Sequence, residues 1–149
     1  DLAGYSQSTP VRLGGPPECP TRPFCQPGLE ETYGMQFSEF TSLDAGGPLT
    51  KQALAQGAID VGLFFSSDGG VAANDLVVLT DDLTLQTADN IIAAVTTSAL
   101  TPALQTALDA VSAALTTEDL VQMNKMVDID RADAATVAQE WLTSKGLVS

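Results

Sequence analysis

Short apolar segments and helical patterns alternate along the first half of the chain. Four segments have the length of strands: the mainly apolar residues 11–13, 59–65 and 76–79, and residues 35–40, in which apolar and polar positions alternate weakly. Helical patterns fall between them at residues 29–33 and 49–56, and Pro48 suits the first turn of the second helix. Short helices between short strands predict an α/β unit with short crossovers.

The second half of the chain is dominated by helical periodicity. One further apolar run, residues 91–95, predicts a buried strand. Three later stretches repeat apolar residues every three or four positions and predict amphipathic helices: residues 102–115, 117–127 and 133–145. Their apolar faces need a surface to cover. They either pack on the first unit or belong to a sheet whose other strands lie outside this sequence, and we favour the second interpretation.

Composition narrows the class of function. The 149 residues carry a formal net charge of −13 and include no histidine. A surface this acidic repels phosphate, which argues against nucleic acid and anionic membranes as partners. It favours a cationic or zwitterionic solute, although acidity also keeps a secreted protein in solution. Without histidine, the commonest general base and metal ligand are missing, so neither a metal site nor a cofactor is predicted.

The two cysteines, Cys19 and Cys25, lie in a proline-rich segment that excludes both a helix and a central strand. Two cysteines without histidine cannot form a four-ligand zinc site, and a redox pair more often has two residues between its cysteines. A structural disulfide is the favoured interpretation, with two reduced thiols as the alternative. A disulfide implies an oxidising compartment.

Eight short motifs follow one another in a characteristic order. They are residues 14–25 (GGPPECPTRPFC), 28–29 (GL), 33–34 (YG), 42–49 (SLDAGGPL), 57–61 (GAIDV), 66–68 (SSD), 115–120 (LTTEDL) and 138–142 (AQEWL). In this order and spacing, the chain resembles the substrate-binding proteins of glycine betaine and choline (osmoprotectant) ABC transporters. The resemblance extends from residue 11 to the end of the sequence.

The resemblance implies a periplasmic-binding-protein-like α/β fold of type II, with two lobes and a ligand cleft. Residues 1–80 are then expected to form the second lobe, an α/β sheet with helices on both faces, and residues 81–90 the crossover that returns to the first lobe. Residues 91–149 are expected to supply the C-terminal strand and helices of that first lobe, whose N-terminal half lies outside this sequence. An extracytoplasmic location, periplasmic or as a cell-surface lipoprotein, and membrane permease subunits as partners are also implied.

The resemblance also implies a binding site. In such proteins aromatic faces hold a quaternary ammonium group, and arginine or backbone amides hold a carboxylate. Pro20 stands where relatives often have a cage tyrosine, Phe65 stands at a second cage position, and Thr50 falls near a ligand-binding arginine. These departures favour a more polar solute than glycine betaine. The residues expected to line the cleft are Glu18, Thr21, Arg22, Gly47, Thr50, Phe65 and Ser66.

Structural roles compete with these ligand roles. Arg22 has the alternative role of bridging Glu18, and Phe65 that of packing in the core. Asp81 and Asp82 do not have the spacing of a complete calcium loop, so we interpret them as solvated turn residues.

Three functions compete at this point. The favoured one is a non-catalytic solute-binding component of an ABC importer for betaine- or choline-like solutes. A hydrolase that uses Ser66 or Ser67 with Asp68 lacks both a histidine base and a nucleophile-elbow pattern, so no catalytic residue is predicted. A protein-interaction or self-associating module is the alternative, because exposed apolar helix faces can pair with a partner or with a second copy.

Overall fold

The structure, a computed structural model, describes residues 1–148. These residues divide into two units. Unit one comprises Asp1–Phe65 and Asn74–Thr87, and unit two comprises Ser66–Ala73 and the chain from Ala88 onward. The lobe boundaries expected at residues 80 and 90 refer to a longer protein and stay a prediction.

Unit one alternates strands and helices, as the apolar pattern predicts. Its elements are α1 (Leu2–Ser6), β1 (Arg12–Gly15), a 3₁₀ turn (Cys19–Thr21), α2 (Gln26–Tyr33), β2 (Glu39–Ser42), α3 (Pro48–Ala55) and β3 (Val61–Gly62). Pro48 occupies the first turn of α3, where a backbone amide has no partner within the helix, so the lack of an amide hydrogen costs no hydrogen bond. Helix α2 starts one turn earlier than the pattern predicts, with Pro27 in its first turn, and it ends at Gly34.

The three strands form one parallel sheet in the order β2-β1-β3. Leu13 of the central strand β1 pairs with Phe40 on one side and with Val61 on the other. Leu13 is fully buried and packs with the two cysteines, against which Phe37, Phe40, Val61 and Leu63 also lie. The core of unit one therefore sits directly beneath the segment that follows β1.

Unit two is helical in the part of the chain that the structure describes. Its elements are α4 (Gly70–Ala73), α5 (Pro102–Ala114), α6 (Thr117–Asp128) and α7 (Ala134–Ser144). Thr101, Thr116 and Asp133 each accept a hydrogen bond from an amide in the first turn of α5, α6 and α7, so the three long helices begin where side-chain caps occur. Within residues 1–148, no helix has the length and apolar character that crossing a membrane requires.

The predicted strand at residues 76–79 is wrong, while the strand at residues 91–95, whose expected partners lie outside this sequence, is not formed among the described residues and stays a prediction. Both segments are irregular, and Val77 and Ile92 are 84% and 80% exposed. A strand exists only through hydrogen bonds to a neighbouring strand, and among residues 1–148 no strand pairs with either segment. A run of aliphatic residues therefore indicates strand propensity, but it does not show that a neighbouring strand is present to pair with it.

Candidate functional site

The loops that follow the three parallel strands meet at one edge of the sheet. Backbone hydrogen bonds join the ends of the strands there: the Leu43 amide donates to Gly15 O at 2.7 Å, and the Leu63 amide donates to Gly14 O at 3.2 Å. Gly46, in the loop after β2, lies so close to Leu63 and Phe64 that an added Cβ would be 3.0 Å from a Phe64 ring carbon and 3.1 Å from the Leu63 carbonyl oxygen. Loops after β1, β2 and β3 are thus close neighbours.

The strand order marks this edge as a site for a ligand. The chain passes from β1 to β2 on one side and then to β3 on the other side of β1. In α/β sheets, ligands bind beyond the carboxyl ends of the strands at the point where the strand order reverses. In unit one that point lies between the loop after β1 and the loop after β3.

The loop after β1, residues 16–25, is held by a disulfide and is called the disulfide rim below. Cys19 and Cys25 are bonded, with their Cα atoms 5.2 Å apart, and both are buried. The Cys25 amide donates to Arg22 O at 3.0 Å, which closes the loop from inside. The disulfide prediction is confirmed, and the bridge belongs to the core of unit one.

Three predicted ligand residues project from the disulfide rim. Glu18, Thr21 and Arg22 are all exposed, and the Arg22 guanidinium lies 3.8 Å from the Glu18 carboxylate. The Thr21 hydroxyl donates to Glu18 O at 3.0 Å. An exposed pair at this separation is largely screened by solvent, so both charged groups are accessible to a bound molecule.

The start of α3 is organised by Asp44, which the sequence analysis did not single out. The Asp44 carboxylate accepts hydrogen bonds from the amides of Leu49 and Thr50, both at 3.0 Å, and from the Thr50 hydroxyl at 2.7 Å. Burial opposes ionisation, but these bonds and one from the Gly47 amide outweigh it and lower the pKa of Asp44. The sequence signal for this role is the position of Asp44, three residues before Gly47 at the N-cap of α3, because aspartate side chains often accept hydrogen bonds from nearby backbone amides in turns.

This arrangement separates Thr50 from the other predicted ligand residues. Thr50 is 0% exposed, and its hydroxyl also donates to Asp44 O at 2.9 Å. Gly47, the N-cap residue of α3, is half-buried in the loop after β2. Gly47 thus belongs to the same edge as the disulfide rim, while the Thr50 side chain points its hydroxyl into the loop that supports that edge.

Phe65 and Ser66 follow β3 and are consecutive in the chain, but they belong to different units. Phe65 is 62% exposed at the end of unit one, so packing in the core does not account for its ring. Ser66, also exposed, is the first residue of unit two. In unit two the neighbouring Ser67 carbonyl accepts from the Asn124 side chain at 2.8 Å, which attaches this loop to α6.

A second polar cluster in unit one joins residues far apart in sequence. The Tyr33 hydroxyl donates to the Asp81 carboxylate and accepts from the Leu83 amide at 2.9 Å. Asp81 also accepts from the amides of Leu85 at 3.0 Å and Gln86 at 2.7 Å. Asp81 does begin a turn, as interpreted, but its carboxylate is not merely solvated: it accepts these three hydrogen bonds and organises residues 81–86.

The electrostatics of this cluster follow from the same contacts. The Tyr33 hydrogen bond, with the Gln86 and Leu85 amides, lowers the pKa of Asp81 against the opposing effect of burial. Burial and the hydrogen bond to Asp81 raise the pKa of Tyr33. Across residues 1–148, no group of three or more metal-ligating side chains comes together.

Comparison with known proteins identifies the class. A family model described as the substrate binding domain of the ABC-type glycine betaine transport system matches residues 1–144. The chain therefore belongs to this family, whose role is to bind a substrate rather than to convert one. The family resemblance stated from the motifs is confirmed.

Two solved structures are similar to this chain. One, described as a crystal structure of a glycine betaine/carnitine/choline ABC transporter, is 28% identical, with a TM-score of 0.78, over 98% of this chain and 52% of that one. The other, apo YehZ from Escherichia coli, is 25% identical, with a TM-score of 0.62, over 99% of this chain and 57% of that one. The chain thus spans about half the length of these relatives, and its periplasmic-binding-protein-like α/β fold is confirmed.

Proposed function

We propose that this chain supplies the solute-contacting rim of an extracytoplasmic binding protein that delivers a quaternary ammonium compound, or a related compatible solute, to the permease subunits of an ABC importer. The observation that carries the proposal is the meeting of the disulfide rim with the loops after β2 and β3, at the reversal point of the strand order. Membership of the substrate-binding family supports it.

The proposed ligand contacts are the accessible groups at this edge. Glu18, Thr21, Arg22 and Gly47, all in unit one, offer charged and polar atoms. Ser66 begins unit two, and its contact with the solute stays a prediction from the family resemblance. Thr50 acts indirectly, by holding Asp44 in place beneath Gly47. The exposed acidic Glu18 and the net charge of −13 attract a cation, and they raise its local concentration near the rim.

Phe65 is the proposed aromatic contact for the cation. A quaternary ammonium group over an aromatic face gains about 0.5–2 kcal/mol, and the Phe65 ring is 62% exposed. The arrangement of lobes expected from the family remains part of the proposal. Residues 1–80 would form one lobe, 81–90 the crossover, and the remainder would belong to the partner lobe.

Titration calorimetry tests the proposal directly. The full-length protein is titrated with glycine betaine, choline and carnitine, and at least one is expected to bind. Phe65→Leu should weaken that binding by about twofold to thirtyfold, the range that one cation–π contact supplies. Tyr5→Leu is the matched control, because Tyr5 is an aromatic residue of similar exposure in α1 that is neither part of the disulfide rim nor a proposed contact. Absence of heat with all three solutes would overturn the proposal.

A self-associating or protein-binding module is the alternative function. It is favoured by the exposed aliphatic side chains of Val77, Val78, Ile91 and Ile92 in two unpaired segments. Light scattering on the purified protein separates the two functions: a monomer that binds a solute contradicts the alternative, and a stable oligomer without solute binding supports it.

A further inference from the structure

Residues 81–87 of unit one are fastened to the disulfide rim and to α2 at several points. The Gln86 side-chain amide donates to Phe24 O, inside the rim, at 2.8 Å. Leu85 packs on Gly28, where an added Cβ would lie 2.7 Å from a Leu85 methyl carbon. The same Cβ would clash first with the Pro23 carbonyl oxygen, so α2, the disulfide rim and Leu85 meet closely at Gly28.

Tyr33 and Asp81 fix the conformation that makes these contacts. The Asp81 carboxylate receives the Tyr33 hydroxyl together with the Leu85 and Gln86 amides, and the Leu83 amide binds the Tyr33 oxygen. One side chain from α2 thus orders a loop that has no regular secondary structure of its own. Hydrogen bonds to an ionised carboxylate are stronger than those between neutral groups, so this is the firmest attachment of the segment.

The contacts reach the residues proposed to touch the solute. Phe24, whose carbonyl binds Gln86, is adjacent to Cys25, and the disulfide connects Cys25 to Cys19, between Glu18 and Thr21. The Cys25 amide is in turn bonded to Arg22 O at 3.0 Å. Displacing residues 81–87 would therefore remove the Gln86 hydrogen bond next to the disulfide and loosen the loop that carries three proposed contacts.

We propose that Tyr33 and Asp81 are positioning residues for solute binding, because their contact clamps residues 81–87 against α2 and holds the disulfide rim in its binding geometry before the solute arrives. This inference rests on the proposed function. A rim that is already ordered loses less conformational freedom on binding, so the clamp increases affinity without touching the solute.

The test uses full-length variants and two separate measurements. Tyr33→Phe removes the hydroxyl, and Tyr5→Phe removes the hydroxyl of an exposed tyrosine elsewhere in unit one as the matched control. Asp81→Ala and Asp81→Asn form a second pair, in which asparagine keeps one oxygen acceptor. Amide hydrogen exchange at Arg22 and Cys25 reports the order of the rim. Calorimetry with glycine betaine, choline and carnitine reports affinity.

Tyr33→Phe is expected to accelerate exchange at Arg22 and Cys25 and to weaken solute binding by about threefold to tenfold, the effect of losing one part-buried hydrogen bond. Asp81→Asn should lose less affinity than Asp81→Ala, and Tyr5→Phe should match the wild type. Unchanged exchange in the rim would overturn the inference, as would faster exchange with unchanged affinity. If the wild type binds none of the three solutes, the proposed function fails, and the exchange data alone decide whether the clamp orders the rim.

Discussion

Arg12 and Asp60 form a two-point ion pair beside the central strand of unit one. Arg12 Nε lies 3.0 Å from one Asp60 carboxylate oxygen, and a terminal guanidinium nitrogen lies 2.8 Å from the other. The Arg12 amide also donates to the carboxylate at 2.9 Å, and the Asp60 amide donates to Arg12 O at 3.0 Å. The strands β1 and β3 pair at only two positions, Leu13 with Val61 and Gly14 with Gly62. The contact between Arg12 and Asp60 adds a third link one position before them.

Arg12→Lys is expected to lower the melting temperature by about 2–4 °C, because lysine cannot contact both carboxylate oxygens at once. Thermal unfolding followed by circular dichroism measures the change. Arg131→Lys, at an exposed arginine of unit two, is the matched control and should leave the melting temperature unchanged. Equal melting temperatures for Arg12→Lys and the wild type would contradict a stabilising role.

The same pair predicts a dependence of stability on acid. The Arg12 hydrogen bonds lower the pKa of Asp60 below its ordinary value of 3.8. A folded-state pKa below the unfolded one contributes stability above pH 3.8 that is lost as the pH falls through the lower, folded value. Asp60→Asn should therefore flatten the acid limb of a stability curve between pH 5 and pH 2. An unchanged acid limb would show that Asp60 is not linked to folding.

Thr50→Val is expected to cost about 1–3 kcal/mol of folding free energy, because valine keeps the shape of the buried threonine but leaves the half-buried Asp44 without its hydroxyl donor. Urea unfolding of the variant gives the value. Thr32→Val makes the same change at an exposed position of α2 and should have little effect. If Thr50→Val retained full stability but lost solute affinity, Thr50 would be a direct ligand contact after all.

Removing the disulfide should lower the free energy of unfolding by about 2 kcal/mol. The unfolded chain gains conformational entropy when the loop between Cys19 and Cys25 is opened, and this gain favours unfolding. Cys19→Ala combined with Cys25→Ala tests this in urea. Wild type treated with a reductant serves as the internal comparison and should approach the double variant. A reductant that frees both thiols without moving the unfolding midpoint would contradict the prediction.

Thr116→Ala is expected to cost about 0.5–2 kcal/mol through the loss of a helix cap. Thr116 Oγ1 accepts from the Asp119 amide at 3.1 Å, and Asp119 accepts from the Thr116 amide at 3.1 Å, which completes a capping box at the start of α6. Thr117→Ala, one position further along, should be nearly neutral. A difference of less than about 0.3 kcal/mol between the two variants would contradict the capping role.

Local signals in the sequence predicted the elements whose ends they determine. The helices predicted at residues 117–127 and 133–145 are α6 and α7, and the caps at Thr116 and Asp133 that start them need only their own helix to form. Pro48 marks the start of α3 for the same reason. The disulfide was predictable because the chain contains only two cysteines, six positions apart.

Contacts between distant residues were not predictable in this way. Tyr33 meets Asp81, and Arg12 meets Asp60, each across 48 positions. In a chain with 19 acidic residues, nothing local to Arg12 or to Tyr33 indicates which carboxylate it will meet. The predicted strand at residues 76–79 failed for a related reason, since its propensity says nothing about a partner. Burial of Thr50 is likewise a tertiary property, created by Asp44 folding back over the start of α3.

An open groove at the opposite, amino edge of the sheet has a practical consequence for measuring solute binding. Ser6–Pro10 and Gln36–Ser38 line it, away from the loops that follow the strands. Both cysteines of the chain are joined to each other, so Ser8→Cys would introduce the single reactive thiol. A fluorescent dye attached there could report solute-linked changes in unit one without occupying the rim.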